Sequence, residues 1–519
     1  MICARRPIGL FFGFFAVFSV AQCSWNLRTP AADGAELAVR NLARNSVIVE
    51  DLKAHASVLA DDTFEGREAG KRGSRAAAGY IIEKLKACGL TGGATDGSFL
   101  QPFDREKHNI LAVLPGNDPA LKHETLIIGA HYDHVGYGNS RNSFGPYGFI
   151  HNGADDNASG VAAVLETAQA ISSIGGLRRT IVFAFWDAEE AGLYGSKHWV
   201  AHPTVPLANI TCFINLDMIG RLRNNMLEVY GARTSTGLRK IISTANATSN
   251  IAMDFKWEIK EDSDHASFFA KRVPIVMFHT GRHGDYHRPS DDVEKLNFDG
   301  MQSICRMMVD FAIDLADADQ RTYFRMGSVN ESFSESGRIT LERPVAALPP
   351  RLGITWQPGV STEGGVLVSG VRAGGPAHRA GLRAGDRIVA WGDLVPASDD
   401  EFERLVLRTK SPVALKVARA GVAEPIALQL ALAGDPVRIG LSWSHDEAEP
   451  ESMVVKRVVP GSPAARAGLL EVDRVYEVDG VQFRSSAEFE ALLEKAGEKL
   501  TLAVERQGIL QTIVCEIGK

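Results

Sequence analysis

The sequence predicts an α/β protein, a mixed and mostly parallel sheet flanked by helices, followed by two small β-rich units. Three observations carry this. Between residues 109 and 317, short apolar runs rich in Val, Ile and Phe alternate with longer helical stretches, the rhythm of strands joined by crossover helices. Residues 319–349 break that rhythm with Ser, Glu, Arg, Pro344, Pro349 and Pro350, which is linker composition. Beyond them a segment repeats itself at a constant offset. At 519 residues the chain is too long for one core, so several domains are expected.

Arg5 and Arg6 precede the Phe-rich run Ile8–Val20, and Ser19-Val20-Ala21 supplies small residues; residues 1–23 therefore read as an export signal. The apolar run of about a dozen residues is short of the roughly 20 that a spanning helix needs. Lipid attachment at Cys23 is disfavoured, because Gln22 is not the small residue usual there. No other segment could span a membrane, so a periplasmic or extracellular protein is expected. The net charge of −7 is mild and argues against a nucleic-acid binder. Six cysteines are scattered without the spacing of a zinc knuckle. Cys88, Cys212, Cys305 and Cys515 lie in apolar stretches and are expected as buried thiols, with no disulfide.

Residues 36–318 are expected to form the first globular unit. Ser74 is placed to cap a helix whose Ala78, Ile81, Ile82 and Leu85 recur at helical spacing, and Gly89 to end it. Strands are predicted at Ile110–Leu114, Thr125–Ala130, Thr180–Phe185, Ile210–Leu216 and Ile275–Phe278, with helices at Ser159–Ile174 and Phe298–Leu315.

Carboxylates and imidazoles gather at the ends of these runs. Ala130-His131-Tyr132-Asp133-His134 follows one strand, and Gly153-Ala154-Asp155-Asp156-Asn157 opens the next helix. Trp186-Asp187-Ala188-Glu189-Glu190, Asn215-Leu216-Asp217-Met218 and Tyr286-His287-Arg288-Pro289-Ser290-Asp291 follow or end others. Ligands of open α/β sheets bind beyond the carboxyl ends of the strands, so five such ends suit a metal centre. Two divalent ions held side by side need a shared anionic bridge, which a carboxylate can supply and an imidazole cannot. An imidazole ligand usually has its other nitrogen held by a carboxylate, and Asp133 is placed to do that for His131. Singly each motif has a bland reading: a structural histidine, a solvated Glu189-Glu190 pair, or Asp155-Asp156 as a helix cap. Their joint occurrence in this order, with Gly153, Ser159, Gly160 and Gly192, favours chemistry.

These motifs resemble the two-zinc exopeptidase family of bacterial leucyl aminopeptidases and aminopeptidase Y, with glutamate carboxypeptidase II and the glutaminyl cyclases as more distant relatives. The likeness runs from about residue 50 to 317. It implies a phosphorylase/hydrolase-like fold and two Zn²⁺ ions: His131 and Asp217 on one, Glu190 and His287 on the other, and Asp156 bridging them. It implies Glu189 as general base, taking a proton from the attacking water and passing it to the leaving amine. His134, His151, His279 and His283 match no ligand position and are expected as pocket wall or surface. Ser263-Asp264-His265 resembles a segment near the substrate pocket, but the tyrosine that precedes it in the leucyl enzymes is replaced near Lys260. Tyr286 is a candidate stabiliser of the tetrahedral intermediate.

In the C-terminal third, Arg351-Leu352-Gly353-Ile354 recurs as Arg438-Ile439-Gly440-Leu441. Pro376-Ala377 recurs as Pro463-Ala464, Ala380-Gly381-Leu382 as Ala467-Gly468-Leu469, and Asp386-Arg387-Ile388 as Asp473-Arg474-Val475, always 87 positions on. The unit resembles the PDZ domain of periplasmic proteases, which implies two modules, 350–433 and 436–519. Each would add a peptide C-terminus as a strand on an open edge. Val472 replaces Gly385 in the second copy, whose turn is expected to differ.

The resemblance thus implies an exported zinc aminopeptidase acting on peptides, with possible partners at the PDZ-like modules and no nucleic acid. Carboxypeptidase or dipeptidase action stays open, as the Trp186–Glu190 stretch is shared with that branch. Glutaminyl cyclase is disfavoured, since those enzymes keep one zinc and every ligand for two is present here. A catalytically silent scaffold would have lost a ligand, and none is lost.

Overall fold

The computed structural model describes residues 34–332, 336–357 and 364–518; the export signal read over 1–23, with Cys3 and Cys23, lies outside them. The described residues open with helices α1 (Gly34–Ser46), α2 (Val49–Leu59) and α3 (Arg72–Ala87). Strands β1 (Thr91–Gly92), β2 (Leu100–Asp104), β3 (Lys107–Leu114) and β4 (Thr125–His131) follow, then α4 (Gly160–Ser173), β5 (Thr180–Trp186), α5 (Tyr194–Ala201) and β6 (Ile210–Leu216). Next come β7 (Met226–Tyr230), α6 (Leu238–Ala245), β8 (Ala252–Lys256), α7 (His265–Phe269), β9 (Ile275–His279) and α8 (Phe298–Asp317).

The nine strands form one sheet in the order β1-β3-β5-β4-β6-β9-β7-β8, with β2 also on β3. Pairing is parallel through β5-β4-β6-β9 and antiparallel where β3 meets β5 and β7 meets β9. The alternation of β5 shows why both faces are covered: Ile181, Phe183 and Phe185 enter one core with α1–α4 and α8, while Val182, Ala184 and Trp186 enter a second with Trp199, Phe213 and Phe268. Period-two side chains buried on both faces are what a central strand needs.

Every strand and helix read from the sequence is present, within two residues at each end except that β3 begins at Lys107. Ser74 does not cap α3. Lys71 holds that place without a side-chain cap, and Ser74 is buried one turn in, its Oγ 3.5 Å from Asp187 Oδ1. Gly89 ends the helix in the left-handed conformation (φ 75°), with Leu90 N donating to Leu85 O at 3.2 Å. Cys212, Cys305 and Cys515 are buried free thiols and Cys88 is half-buried. Among the described residues no helix is long and apolar enough to cross a membrane.

The segment read as linker carries two short helices, α9 (Gly327–Glu331) and α10 (Ser336–Glu342). The two repeats then form separate antiparallel sheets. The first holds β10 (Ile354–Trp356), β11 (Val366–Val371), β12 (Arg387–Trp391), β13 (Val413–Ala418) and β14 (Ile426–Leu430), with helices α11 (Pro376–Arg379) and α12 (Asp399–Arg408). The second holds β15 (Leu441–His445), β16 (Met453–Val458), β17 (Arg474–Val478), β18 (Val481–Gln482), β19 (Lys499–Arg506) and β20 (Ile509–Glu516), with α13 (Pro463–Arg466) and α14 (Ser486–Lys495). The expected difference at Val472 is absent. Its φ is 74° and that of Gly385 is 88°, so a valine adopts the conformation that glycine takes freely. The arginines of the repeated loops also do something unforeseen. Arg351 donates to the carbonyls of Val406, Leu407 and Thr409, and Arg438 to those of Leu493, Glu494 and Ala496. Each thus satisfies the last carbonyls of a helix, α12 in the first repeat and α14 in the second.

Candidate metal centre

Parallel strands bring their carboxyl ends to one rim, and there the turns after β4, β5, β6 and β9 converge on the turn before α4. His131 is the last residue of β4. Glu189 and Glu190 follow β5 through Ala188 (φ 58°), Asp217 leaves β6 just before Met218 (φ 54°), and His287 itself stands at φ 52°. Non-glycine residues at positive φ are uncommon, and three together mark turns held by their surroundings to aim particular side chains. Gly153, also left-handed, admits nothing larger: a Cβ there would lie 2.2 Å from Asp156 O and 2.5 Å from the His134 ring.

Asp156 is the centre of the arrangement. Its Oδ1 lies 3.3 Å from His131 Nε2, and its Oδ2 lies 3.0 Å from His287 Nε2. His131 Nε2 is also 3.5 Å from Asp217 Oδ1, and His287 Nε2 is 3.0 Å from Glu190 Oε2. Two donor groups result, each with ligand atoms within 4.8 Å of one another: His131, Asp156 and Asp217, and His134, Asp156, Glu190 and His287. His131 also groups with Glu189 and Glu190. All five residues read as ligands, and Glu189, are therefore brought together.

Asp133 is present but acts differently from the expectation. The nearest partner of His131 Nδ1 is the main-chain carbonyl of Asp133 at 3.2 Å, while the carboxylate stands 3.9 Å away. The turn after β4 aims that carboxylate at the next loop, where its Oδ1 accepts from Glu189 N at 3.0 Å. The expected surface or wall histidines also divide. His279 lines the pocket. His134 is fully buried, with Nδ1 2.8 Å from Glu190 Oε1. His283 lies 3.1 Å from Asp155 Oδ2, and His151 contacts Ser143 Oγ at 2.6 Å. Asp291 holds the turn before α4, accepting from Asp155 N and Asp156 N at 2.9 and 3.1 Å.

The electrostatics follow from packing acids and imidazoles away from water. Burial works to lower His131, but Glu189, Asp217 and Asp156 outweigh it and hold the imidazole well above its usual value. Burial likewise opposes the charge of His287, yet Glu190 and Asp156 raise it to about 11. Burial and Asp156 work to raise Glu190, and His287 and His134 bring it down to about 2. Burial pushes Glu189 well above its usual range, opposed by His131 and reinforced by Glu190 and Asp264. Beneath them sits Arg67, which sequence reasoning did not single out. It is 1% exposed and donates to the carbonyls of Leu59, Asn152, Gly153 and Tyr132 at 2.6–3.0 Å. Burial lowers its guanidinium to about 10. Its hydrogen bonds go to main chain, so it neutralises the cluster only through its field. Buried carboxylates whose field holds two neighbouring imidazoles so far above their usual values fit a site completed by metal ions. His134 Nε2, buried without a hydrogen-bond partner, points the same way.

Residues 109–312 match the family model described as peptidase family M28. This segment is therefore similar to peptidase family M28. Residues 367–419 and 454–506 each match the PDZ domain. The chain is 32% identical over 254 residues to leupeptin-inactivating enzyme 1 of Streptomyces exfoliatus, covering 47% of this chain and 52% of that protein. It is 27% identical over 263 residues to leucine aminopeptidase 1 of Trichophyton rubrum, covering 46% and 66%. The matched segments thus span about half to two thirds of these relatives. Among solved structures, the LapA aminopeptidase of Legionella pneumophila overlays with a TM-score of 0.47 at 20% identity, covering 60% of this chain and 81% of that one.

Beside the candidate metal centre opens a cavity of about 610 Å³. Met218, Tyr230 and Met277 line it together with Glu228, Lys256, Lys260, Asp262 and Arg282. Glu228, from β7, accepts from Tyr230 Oη at 2.9 Å and lies 3.4 Å from Lys256 Nζ.

Proposed function

We propose that the chain is an exported zinc exopeptidase that removes N-terminal residues from peptides. The observation that carries this reading is the placement of Asp156, one carboxylate oxygen toward each of two histidines whose other neighbours are Asp217 and Glu190. His131 and Asp217 would hold one ion, Glu190 and His287 the other, and Asp156 both. Bound ions would supply Lewis acidity toward the scissile carbonyl. Glu189, fixed by its main-chain hydrogen bond to Asp133, would take the proton from the attacking water and deliver it to the leaving amine. Tyr286 stacks on His287 with centroids 3.9 Å apart and would donate its hydroxyl to the oxygen that becomes negative. The cavity walled by Glu228 and Met277 would receive the N-terminal side chain. Leucine aminopeptidase 1 and leupeptin-inactivating enzyme 1 among the relatives support the peptidase reading.

The test is Glu189→Gln. Glutamine keeps the size and the main-chain anchor but cannot accept a proton. Turnover of leucyl-p-nitroanilide should fall by about 10²–10⁴-fold, while zinc content measured by atomic absorption stays at two per chain. A variant that retains turnover removes Glu189 from the mechanism, and a wild-type protein that trims only N-blocked peptides from their C-termini overturns the aminopeptidase reading.

A further inference from the structure

The loop between β4 and α4 exposes four large aromatic side chains within thirteen positions. Tyr137, Phe144, Tyr147 and Phe149 are 45–62% exposed. Slack in the chain does not explain this, because the loop is pinned to the metal centre. His287 Nδ1 lies 2.9 Å from Asn142 O. His287 O accepts from Phe144 N at 3.1 Å and from Ser143 Oγ at 3.0 Å. Arg288 donates to Phe144 O and Gly145 O at 2.8 and 3.0 Å, and Gly148 N closes the loop onto Tyr137 O at 2.8 Å. An ordered loop that turns its aromatics to solvent marks a binding face.

Its position says what it would bind. Tyr286 and His287 line the cavity, and Phe144 packs against the same two rings, its centroid 6.1 and 6.3 Å from theirs. None of the four loop aromatics lines the cavity. The Tyr286–His287 pair therefore stands between the charged pocket on one side and the exposed Phe144 of this loop on the other. A peptide whose first residue fills the pocket must carry its remaining residues out of the centre, and the strip is continuous with the centre through His287.

We propose that Phe144, Tyr147 and Phe149 form a docking strip for the part of the peptide beyond the bond that is cut, selecting apolar and aromatic residues there. This rests on the peptidase reading above and adds a preference on the leaving side. Aromatic side chains suit the task, offering large apolar area at small conformational cost and stacking on rings of the peptide.

The experiment compares leucinamide, Leu-Gly-Gly-Gly and Leu-Phe-Tyr-Gly on the wild-type holoenzyme and on Tyr147→Ser/Phe149→Ser. The wild type should show a KM about tenfold lower for the aromatic tetrapeptide than for the glycine one, and the double variant should lose that difference. Calorimetry of the two tetrapeptides binding to Glu189→Gln protein, with and without the strip substitutions, should show the same tenfold preference and its loss. Equal KM and equal affinity for the two peptides in the wild type overturn the proposal, as does a preference that survives the double variant. If no substrate is cleaved, the peptidase reading fails while the binding preference still decides the strip. Sedimentation separates the other occupant: a wild-type dimer that the double variant dissolves makes the strip a self-association face and overturns the proposal.

Discussion

In both PDZ repeats an arginine at the end of one strand grips the aspartate just before the neighbouring strand: Arg419 with Asp386 and Arg506 with Asp473, each at 2.7 Å. The repeats differ in the charges they present to the α/β domain. In the second, Arg233 Nη1 donates to both carboxylate oxygens of Asp446 at 2.7 and 2.8 Å, Glu505 pairs with Arg239 at 2.8 and 3.0 Å, and Glu451 pairs with Lys240 at 3.1 Å. Main chain joins in, with Gly237 N donating to Ala448 O at 2.9 Å and Met253 N to Gln507 O at 2.7 Å. The last of these caps β8, the edge of the large sheet, where an unpaired strand would invite association. At the positions 87 residues earlier, where the second repeat has Asp446, Glu449, Glu451 and Glu505, the first has Gly359, Thr362, Gly364 and Ala418. One fold thus carries two surfaces, and only the acidic one matches the basic side chains of residues 233–240. The second repeat is tied to the α/β domain by these pairs, and the first lacks the acidic side chains that make them.

Arg233→Ala attacks that difference most directly. The guanidinium also pairs with Glu331 at 2.8 Å and lies 3.6 Å over the Trp257 ring. Its loss leaves Asp446, 1% exposed, facing Arg474 at 3.4 Å. Because Arg474 remains beside it, the loss should fall short of the roughly 3–5 kcal/mol that a fully stranded buried charge costs. The second repeat should come free of the α/β domain, seen as a separate thermal transition and as tryptic cleavage within 319–349. A single transition within about 2 °C of wild type would mean that the ion pairs do not hold the repeat.

Glu449 gives the next largest effect, and it depends on pH. Burial raises its carboxyl from 4.5 to about 7, with Asp446 adding to the rise and Arg239 N opposing it. A raised folded-state pKa means that this contribution is fully present below about pH 4.5 and is lost as pH climbs through 7. Between pH 5 and 8 the wild type should lose about 3 kcal/mol through this group. Asp446, held far below its ordinary range by Arg233 and Arg474 against burial, stays ionised across that window and adds no slope. Glu449→Gln cannot ionise and can still accept from Arg239 N, so its stability relative to wild type should improve from pH 5 to pH 8. Denaturant midpoints at the two values measure this; a constant difference removes Glu449 as the cause.

The same contrast shows what could be read from residues alone. β6 was legible at both ends because Ile210–Leu216 is an unbroken apolar run, as a strand buried on both faces must be. The clusters that hold His131, Asp156, Glu190, Asp217 and His287 were legible because they stand at the ends of such runs or in the turns beside them, while the choice of these five within the clusters came from the resemblance to the two-zinc exopeptidases. β7 and β8 were not, since each is five residues of mixed burial held by pairing with distant partners. Arg67 left no trace, because its ligands are carbonyls and carbonyls have no sequence. The Asp133 carboxylate was assigned to the wrong neighbour, since a spacing of two fixes proximity but not which oxygen turns inward. The acidic anchors of the second repeat could have been found by asking where the aligned repeats disagree in charge rather than where they agree.

The smallest predicted effect uses the pair that both repeats share. Asp386 and Asp473 are buried, and Arg419 and Arg506 are 20% and 31% exposed, so neither ion pair is a strong contributor by itself. In the first repeat, Arg419→Ala removes the clasp from a turn whose neighbouring strand β14 is an edge. In the second, Arg506→Ala removes the same clasp, but the adjoining turn stays fixed through Gln507 O on Met253 N and Gly508 O on Asn246 Nδ2 at 2.8 Å. Amide exchange in β13 and β14 should therefore quicken by up to about fivefold in the first variant, and exchange in β19 and β20 should hardly change in the second. Equal acceleration in both repeats would mean that contact with the α/β domain lends the second one no local stability.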